Sequence, residues 1–515
     1  VKTVANAPHK LVRLAFALWA LSGSLPVRAQ EPETAAAPPS DATGEDELGF
    51  GDAPVAITAA APAAITAEVS EDTSASSWHL SGSVGVQSAL RLERQDADRL
   101  GKLRLVFAPR LEFGHAFAHS STSLQLVLSA RAEADFAYLL RPDAYDGPTM
   151  QLYGSQLIVG TSFVRVASSH FELAFGSQIV NFGQAEVLSL LDVVNPRDLR
   201  EPLFADLEDL RLAVLMTRVG FSLDRLRAEL ILVHEPYFGL IAPPAGEFSP
   251  LRKLLLEIPG VGPVLAQHEL YYQHVPGRDP TQFDAIQAHL RVSLRLSRAD
   301  LSLQASSLLD SFGVPGLPTL DQLLQPRIDL PTYHPRYVLL GQAGALSLGA
   351  FLLRWELGCE LERTLIVQRK GSLLPDWSSE RLNTLRGLLG FTYVPSARTN
   401  LGIELLQSVV LDNPGRRAPG DHELLFPVEA LQLALRLSHT FLRERATFTL
   451  VLLCIGVSEW NAFAGRAELS YAILDDLRLA LGAVSYQPSS HFGPFYGFER
   501  NDRVYLNLRW SFASG

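Results

Sequence analysis

Period-two alternation of apolar and polar residues constrains this chain most. Between Ser123 and Tyr138, the residues Leu124, Leu126, Leu128, Ala130, Ala132, Ala134, Phe136 and Tyr138 share one parity, while Gln125, Ser129, Arg131, Glu133 and Asp135 share the other. Successive side chains of a strand point to opposite faces, so one face of this segment is apolar and the other charged. The same division sets Trp355, Leu357, Cys359 and Leu361 against Arg354, Glu356, Glu360 and Glu362, and sets Leu431, Leu433, Leu435 and Leu437 against Gln432, Arg436 and Ser438. A soluble sandwich has the same period. The connections separate the two readings. Short turns near His119, Ser168, Asp224, Arg298, Ser347, Ser396, Glu444 and Asp475 alternate with longer, irregular segments, as in barrels with short periplasmic turns and long outer loops.

Counting such segments predicts an all-β fold, a transmembrane antiparallel up-and-down β-barrel of about 18 strands. The predicted strands cover 78–92, 103–117, 122–138, 153–167, 170–177, 211–222, 226–235, 284–297, 300–309, 337–346, 350–364, 384–395, 399–411, 428–442, 446–457, 463–474, 477–487 and 503–512. Sixteen is the fallback, because 170–177 and 337–346 are short or alternate poorly. An even count brings both ends of the barrel to the periplasmic side. In the last strand Val504, Leu506, Leu508, Trp510 and Phe512 alternate with Tyr505, Asn507, Arg509 and Ser511. This resembles the signature by which the outer-membrane assembly machinery recognises its clients, although Ala513-Ser514-Gly515 follow the final aromatic.

Composition agrees with strands in lipid. Hydrophobic residues make up 47% and mean hydropathy is +0.12, yet no apolar run long enough for a membrane helix lies beyond the N-terminus. Residues 1–29 read as a secretory signal peptide, with Lys2, Lys10 and Arg13 before the apolar Leu14–Leu21 and a small-residue site at Val27-Arg28-Ala29. Residues 30–77 carry ten acids, no Lys or Arg and one aromatic, Phe50; such a segment reads as a disordered periplasmic linker. Residues 78–515 form the barrel. The signal carries four of the chain's positive charges and no acid, so its removal takes the formal charge from −11 to −15, which argues against nucleic acid as a partner. The expected partners are outer-membrane lipids, the assembly machinery through Val504–Phe512, and a solute the sequence does not name.

A barrel of this size is wide enough for an aqueous lumen. Its inward set mixes Arg131, Arg291, Arg295, Arg354, Arg436, Arg466 and Arg509 with Glu133, Asp135, Glu356, Glu360, Glu362, Glu404 and Glu468. These charges either pair across strands and keep the lumen wet or select solutes. The loop 236–283 is more apolar than a solvated loop requires, with Tyr237, Phe238, Leu240, Ile241, Phe248 and Tyr271-Tyr272; Pro250–Ile258 is expected to form a short amphipathic helix over or into the pore mouth, unless the loop packs on itself. Asn195-Pro196 followed by Asp198 reads as a turn, with a helix predicted over Leu199–Leu210. The candidate pore and constriction residues are Asn195, Arg197, Asp198, Arg200, Arg131, Glu133, Asp135, Arg354, Glu356, Glu360 and Arg436.

Gly176-Ser177-Gln178, then Phe182-Gly183, then Asn195-Pro196-Arg197-Asp198 resembles a stretch in a family of Gram-negative outer-membrane barrels, the domain of unknown function 1302, and more loosely alginate-export-like porins. The resemblance implies a porin-like role with no established substrate. The sequence offers no Gly-x-Ser-x-Gly, no His-Glu-x-x-His and no metal-ligand spacing, so no catalytic residue, metal or cofactor is assigned. Cys359 and Cys454 lie on separate strands and are expected to be free. The function expected is a porin-like channel or transporter for small, partly hydrophobic solutes; the alternatives are a non-conducting surface receptor or adhesin scaffold and, less well supported, a membrane-embedded hydrolase.

Overall fold

Each alternating segment pairs antiparallel with the next, and the last returns to the first. The structure, a computed structural model, describes residues 75–94, 96–205, 209–249, 251–256, 262–276, 285–316, 321–369, 377–417, 422–426, 428–456, 462–489 and 495–514. The signal segment 1–29 and the linker up to 74 lie outside the described residues. The barrel strands are β1 (Ala75–Arg91), β2 (Leu100–Ala116), β3 (Ser123–Asp135), β4 (Ser155–Val159 continued by Ser162–Ala167), β5 (Phe171–Gln178), β6 (Val214–Leu223), β7 (Leu226–Val233), β8 (Gln287–Arg295), β9 (Ala299–Leu309), β10 (Arg336–Leu348), β11 (Phe351–Arg369), β12 (Trp377–Ser396), β13 (Thr399–Val410), β14 (Gln432–Phe441), β15 (Ala446–Ile455), β16 (Ala462–Ala472), β17 (Leu477–Gln487) and β18 (Arg503–Ser514). These eighteen correspond one for one to the predicted segments.

Closure comes from β1 against β18, in register from Leu80 opposite Ser514 to Arg91 opposite Arg503. Ala513 and Ser514, which trail the expected terminal aromatic, are therefore part of the closing strand. With closure no barrel strand among the described residues is left with an unpaired edge in lipid, where each unsatisfied peptide group costs several kcal/mol. The exterior is apolar, with Leu128, Leu157, Leu230, Leu303, Leu357 and Leu389 all exposed. Gln342 breaks the outward parity of β10 and is matched by Trp355 Nε1, which donates to its Oε1 at 3.0 Å. Exposed Trp78, Phe171, Phe221, Phe351, Tyr393 and Trp510 all lie within a few residues of the short-turn end, forming the aromatic girdle that marks a membrane interface. Apolar belt, girdle and closure are the features of an outer-membrane protein. Both cysteines are free.

Three local departures from simple alternation have identifiable causes. β3 ends at Asp135, because its carboxylate caps the one-turn helix Phe136–Leu139 and accepts the Ala137 N–H at 3.1 Å; Tyr138, expected on the lipid face, is buried instead. In β4 the outward parity moves from Leu157 and Val159 to Val164 and Val166, since an extra residue bulges between the pairs Ala130–Val159 and Val127–Phe163. In β11 a bulge after Glu360 puts Glu362 at φ 56°, and its side chain pairs with Arg381 at an exposed position, which removes it from the inward set.

Lipid exposure of Leu128 sets a first test. Leu128→Arg should lose about 2–4 kcal/mol of folding free energy in bilayers, the cost of a midplane arginine, whereas Leu128→Phe should be close to neutral; urea titration of the refolded barrel in vesicles measures both.

Candidate functional site

The wall carries charge inward, and two long connections fold into it. The first, 179–213, joins β5 to β6. Asn195 staples its two feet together: its Oδ1 accepts the Val180 N–H at 2.8 Å, and its Nδ2 donates to the carbonyls of Gln178 at 2.9 Å and Leu212 at 2.8 Å. Only an amide side chain offers one acceptor and two donors in that arrangement. Val180, Phe182 and Val194 then pack on the inward residues Val214 and Met216 of β6 and Ile231 and Val233 of β7, which turns the connection toward the barrel interior.

From there the chain crosses to the wall formed by β9–β14. Glu356 of β11 accepts the N–H groups of Gln184, of Ala185 at 3.0 Å and of Leu191 at 2.9 Å. Glu404 of β13 accepts those of Glu186 at 2.6 Å, Val187 at 3.1 Å and Leu188 at 2.8 Å. Two wall carboxylates thus satisfy six peptide donors that the irregular backbone cannot satisfy itself. Leu188, Leu190 and Leu191 pack against Leu308, Tyr337, Leu339, Leu388 and Leu406. Gly341 and Gly358 make room for them, since a Cβ at either would lie 2.5 Å from Leu191 Cδ2 and 2.6 Å from Leu190 Cδ2, respectively. Arg354 pairs with Glu186 at 2.7 Å and Arg436 of β14 reaches the same carboxylate at 3.8 Å.

The return leg is held by salt bridges. Asp192 is bound by Arg211 at 2.8 Å and Arg197 at 3.4 Å. Arg200 joins Asp198 at 2.6 Å to Glu133 of β3 at 3.0 Å, and Arg131 closes the cluster by contacting Glu133 at 2.8 Å and Asp198 at 3.0 Å. Glu201 is bound by Lys102 and, at 3.3 Å, by Arg104, both on β2. Burial pushes the Glu201 and Asp198 carboxyls up, but their basic partners, Arg104 and Lys102 for the first and Arg200 and Arg131 for the second, outweigh it and hold both below the usual carboxylate range.

The second connection, 234–286, begins by supporting the first. Leu240–Ile241 pair in parallel with Asp198–Leu199, and the Leu240 N–H donates to the Arg197 carbonyl at 3.1 Å. Gly239, at φ +88°, permits that approach; a Cβ there would sit 2.4 Å from the Arg197 oxygen. Further on, Glu247 meets Arg91 of β1 at 2.9 Å and Arg503 of β18 at 2.6 Å, while Phe248 and Phe204 join Tyr486, Phe498 and Tyr505 in an apolar cluster against that wall. Described residues further along the connection pack on a neighbouring loop. Within the span expected to be helical, Arg252–Leu256 is a helix, and Leu251 and Leu255 meet Leu265, Leu270, Ile328 and Leu330 on a small sheet of Glu269–Pro276, Val314–Pro315 and Arg327–His334.

The sequence-predicted residues therefore separate by position. Arg131, Arg197 and Arg436 keep side-chain exposures of 31%, 24% and 23%. Asn195, Arg200, Glu133, Arg354 and Glu356 are buried and fasten the crossing segment. Asp135 is buried in the cap of Phe136–Leu139, with Arg104 at 3.3 Å. Glu360 stands apart, paired with Arg363 at 2.8 Å and Arg386 at 3.0 Å. The helix expected over Leu199–Leu210 does not form among the described residues, where bends and turns follow Leu199; Arg200 and Glu201 are drawn to β3 and β2 by charge, which a helix would turn away. Glu186, Asp192, Glu201 and Glu247 lie in irregular segments, so no periodicity marked them, and Arg211, expected to open a strand, stands instead just before β6.

No protein-family model matches the chain, the domain of unknown function 1302 included, and no curated protein matches it. Solved structures similar to it include the Acinetobacter baumannii protein OccAB3, at 11% identity and TM-score 0.45 over 85% of this chain and 99% of that one. The outer membrane protein OpdK of Pseudomonas aeruginosa aligns at 11% identity and TM-score 0.44, again over 85% of this chain and 99% of its own. OmpF of Salmonella typhi, solved with daunomycin, aligns at 8% and 0.39 over 84% and 97%. The barrel assignment rests on the strand pairing of this chain itself.

Loss of the staple or of a wall carboxylate should free the crossing segment without unfolding the barrel. Glu404→Gln, which removes a charge that accepts three N–H groups, should weaken the attachment by about 2–4 kcal/mol, and Asn195→Ala should weaken it by about 1–3 kcal/mol. Hydrogen exchange in peptides covering 180–195 should rise at least about tenfold in each variant, with exchange in β15–β17 unchanged.

Proposed function

We propose that this protein is a porin-like channel of the outer membrane that passes small, partly hydrophobic solutes, with the crossing segment 184–201 as its constriction. The observation that carries this reading is the attachment of that segment to opposite walls: by Glu356 and Glu404 on one side and by Arg131, Glu133, Lys102 and Arg104 on the other. A scaffold acting only through its outer loops has no use for a segment fixed across its lumen at this density of charge. The partly exposed Arg131, Arg197 and Arg436, with Glu186 and Asp198 between them, would give a solute cations and anions along one path, and mixed charge of this kind orients dipolar molecules. The leucines at 188–191 and the aromatic cluster around Phe248 supply apolar surface beside that path.

Planar-bilayer recording of the refolded protein tests the reading. A steady single-channel conductance is expected, rising at least about twofold on deletion of 240–270, since that deletion removes the support under Arg197. Arg436→Gln should shift ion preference toward cations, seen as a change in reversal potential across a salt gradient. A folded barrel that carries no current in either form would favour the receptor scaffold.

A further inference from the structure

On the long-loop end, outside the barrel strands, two histidines from different connections face one another. His274 Nδ1 lies 2.9 Å from His334 Nε2, and His334 Nδ1 lies 2.6 Å from the Asp310 carbonyl oxygen. The carbonyl can only accept, so His334 carries its proton on Nδ1 and presents a lone pair on Nε2 to the N–H of His274. The two imidazoles then respond differently to acid. A proton on the outer nitrogen of His274 leaves the hydrogen bond intact. Once His274 is charged, a further proton on His334 Nε2 sets two N–H donors against each other.

The surroundings compensate that second proton only in part, because burial outweighs the favourable influence of Asp310. His334 is fully buried, with Phe238 stacked on it at 3.4 Å between ring centroids. The Asp310 carboxylate is already engaged by Arg363 at 3.1 Å and by the N–H groups of Phe312 and Gly313. Tyr272, beside His274 at 6.0 Å, turns its hydroxyl to Ser249 at 3.5 Å. The face of Phe238 favours a cation modestly, but the opposed N–H at hydrogen-bond distance outweighs it. Phe238 also ties the pair to the constriction, because it lies two residues before Leu240, which with Ile241 pairs with Asp198–Leu199 and donates to the Arg197 carbonyl.

We propose that the His274–His334 pair is an acid-sensitive latch: double protonation releases Phe238, loosens Leu240–Ile241 from the constriction segment and so makes the pore switch between conductance levels. The effect on current rests on the channel reading above; the release of Phe238 does not. Burial holds His334 down at about 4 against an ordinary 6.5. The released state therefore binds more protons than the latched one, and the latch is at full strength above pH 6.5 and weakens as pH falls toward 4. A shift of that size moves the latch equilibrium by roughly a hundredfold. The carboxylates Asp198, Glu201 and Glu247 are all held below the usual range by their basic partners, so these anchors of the return leg and of the second connection resist acid better than free carboxylates while the latch opens.

Hydrogen exchange in peptides covering 234–242 of the folded barrel, corrected for intrinsic rates, tests this from pH 7 to pH 4. Protection should fall at least about tenfold in the native protein and hold in His274→Gln, whose amide can donate to neutral His334 or turn its oxygen toward the protonated ring. Acidifying the long-loop side alone should produce current switching that His274→Gln lacks. Unchanged protection at pH 4, or an equal loss in His274→Gln, overturns the latch. Acid-dependent protection in a barrel that carries no current upholds the latch and sinks the channel reading, whereas steady current with unchanged protection does the reverse.

Discussion

Hydrogen bonding of the backbone in a medium without water governs this protein. Lipid offers no partner to a peptide group, so a sheet can sit in it only when every edge is paired, and the register of β1 against β18 supplies the last pairing. Once the sheet closes, each residue faces either lipid or lumen. Charge is affordable on one side alone, and the alternation in sequence is the record of that division.

The same requirement acts inside the barrel, with a different solution. A segment such as 184–191 has no strand to pair with, and its N–H groups are satisfied by carboxylates projecting from the wall. Glu356 and Glu404 are therefore part of the backbone's hydrogen-bonding scheme as much as of the lumen's electrostatics. Their negative charge strengthens each bond. Nearby Arg354 pairs with Glu186, a third carboxylate of the crossing. Arginines at the opposite wall hold Asp198 and Glu201 in the same way, so the crossing segment is attached at both ends by charge and in between by leucine packing.

How much of this could be read from the chain depends on whether a residue obeys a period. Leu124, Leu126 and Leu128 announce a strand because lipid selects every second residue, and the same logic located all eighteen strands, including the short β5. Tyr138 and Glu362 were misplaced because a cap and a bulge interrupt the period, and neither leaves a signal in alternation. Asn195 stood out by its turn chemistry, and its three hydrogen bonds explain why an amide is there. Arg200 and Glu201 gave the wrong local structure, since a run compatible with helix was overridden by charges on β2 and β3 more than sixty residues away in sequence.

The amino-acid sequence by itself determined the barrel, a count of about eighteen strands with sixteen as the fallback, and the mixed charge of its lumen, because those follow from local alternation and turn length. Which charges meet was decided only in three dimensions. Glu404 and Glu186 are far apart in the chain, as are Glu247 and Arg503, and each pair is brought together by closure of the sheet and inward folding of the loops. Whether an inward charge faces a solute or fastens a segment depends on what crosses the lumen at its height, and no periodicity within a strand carries that information.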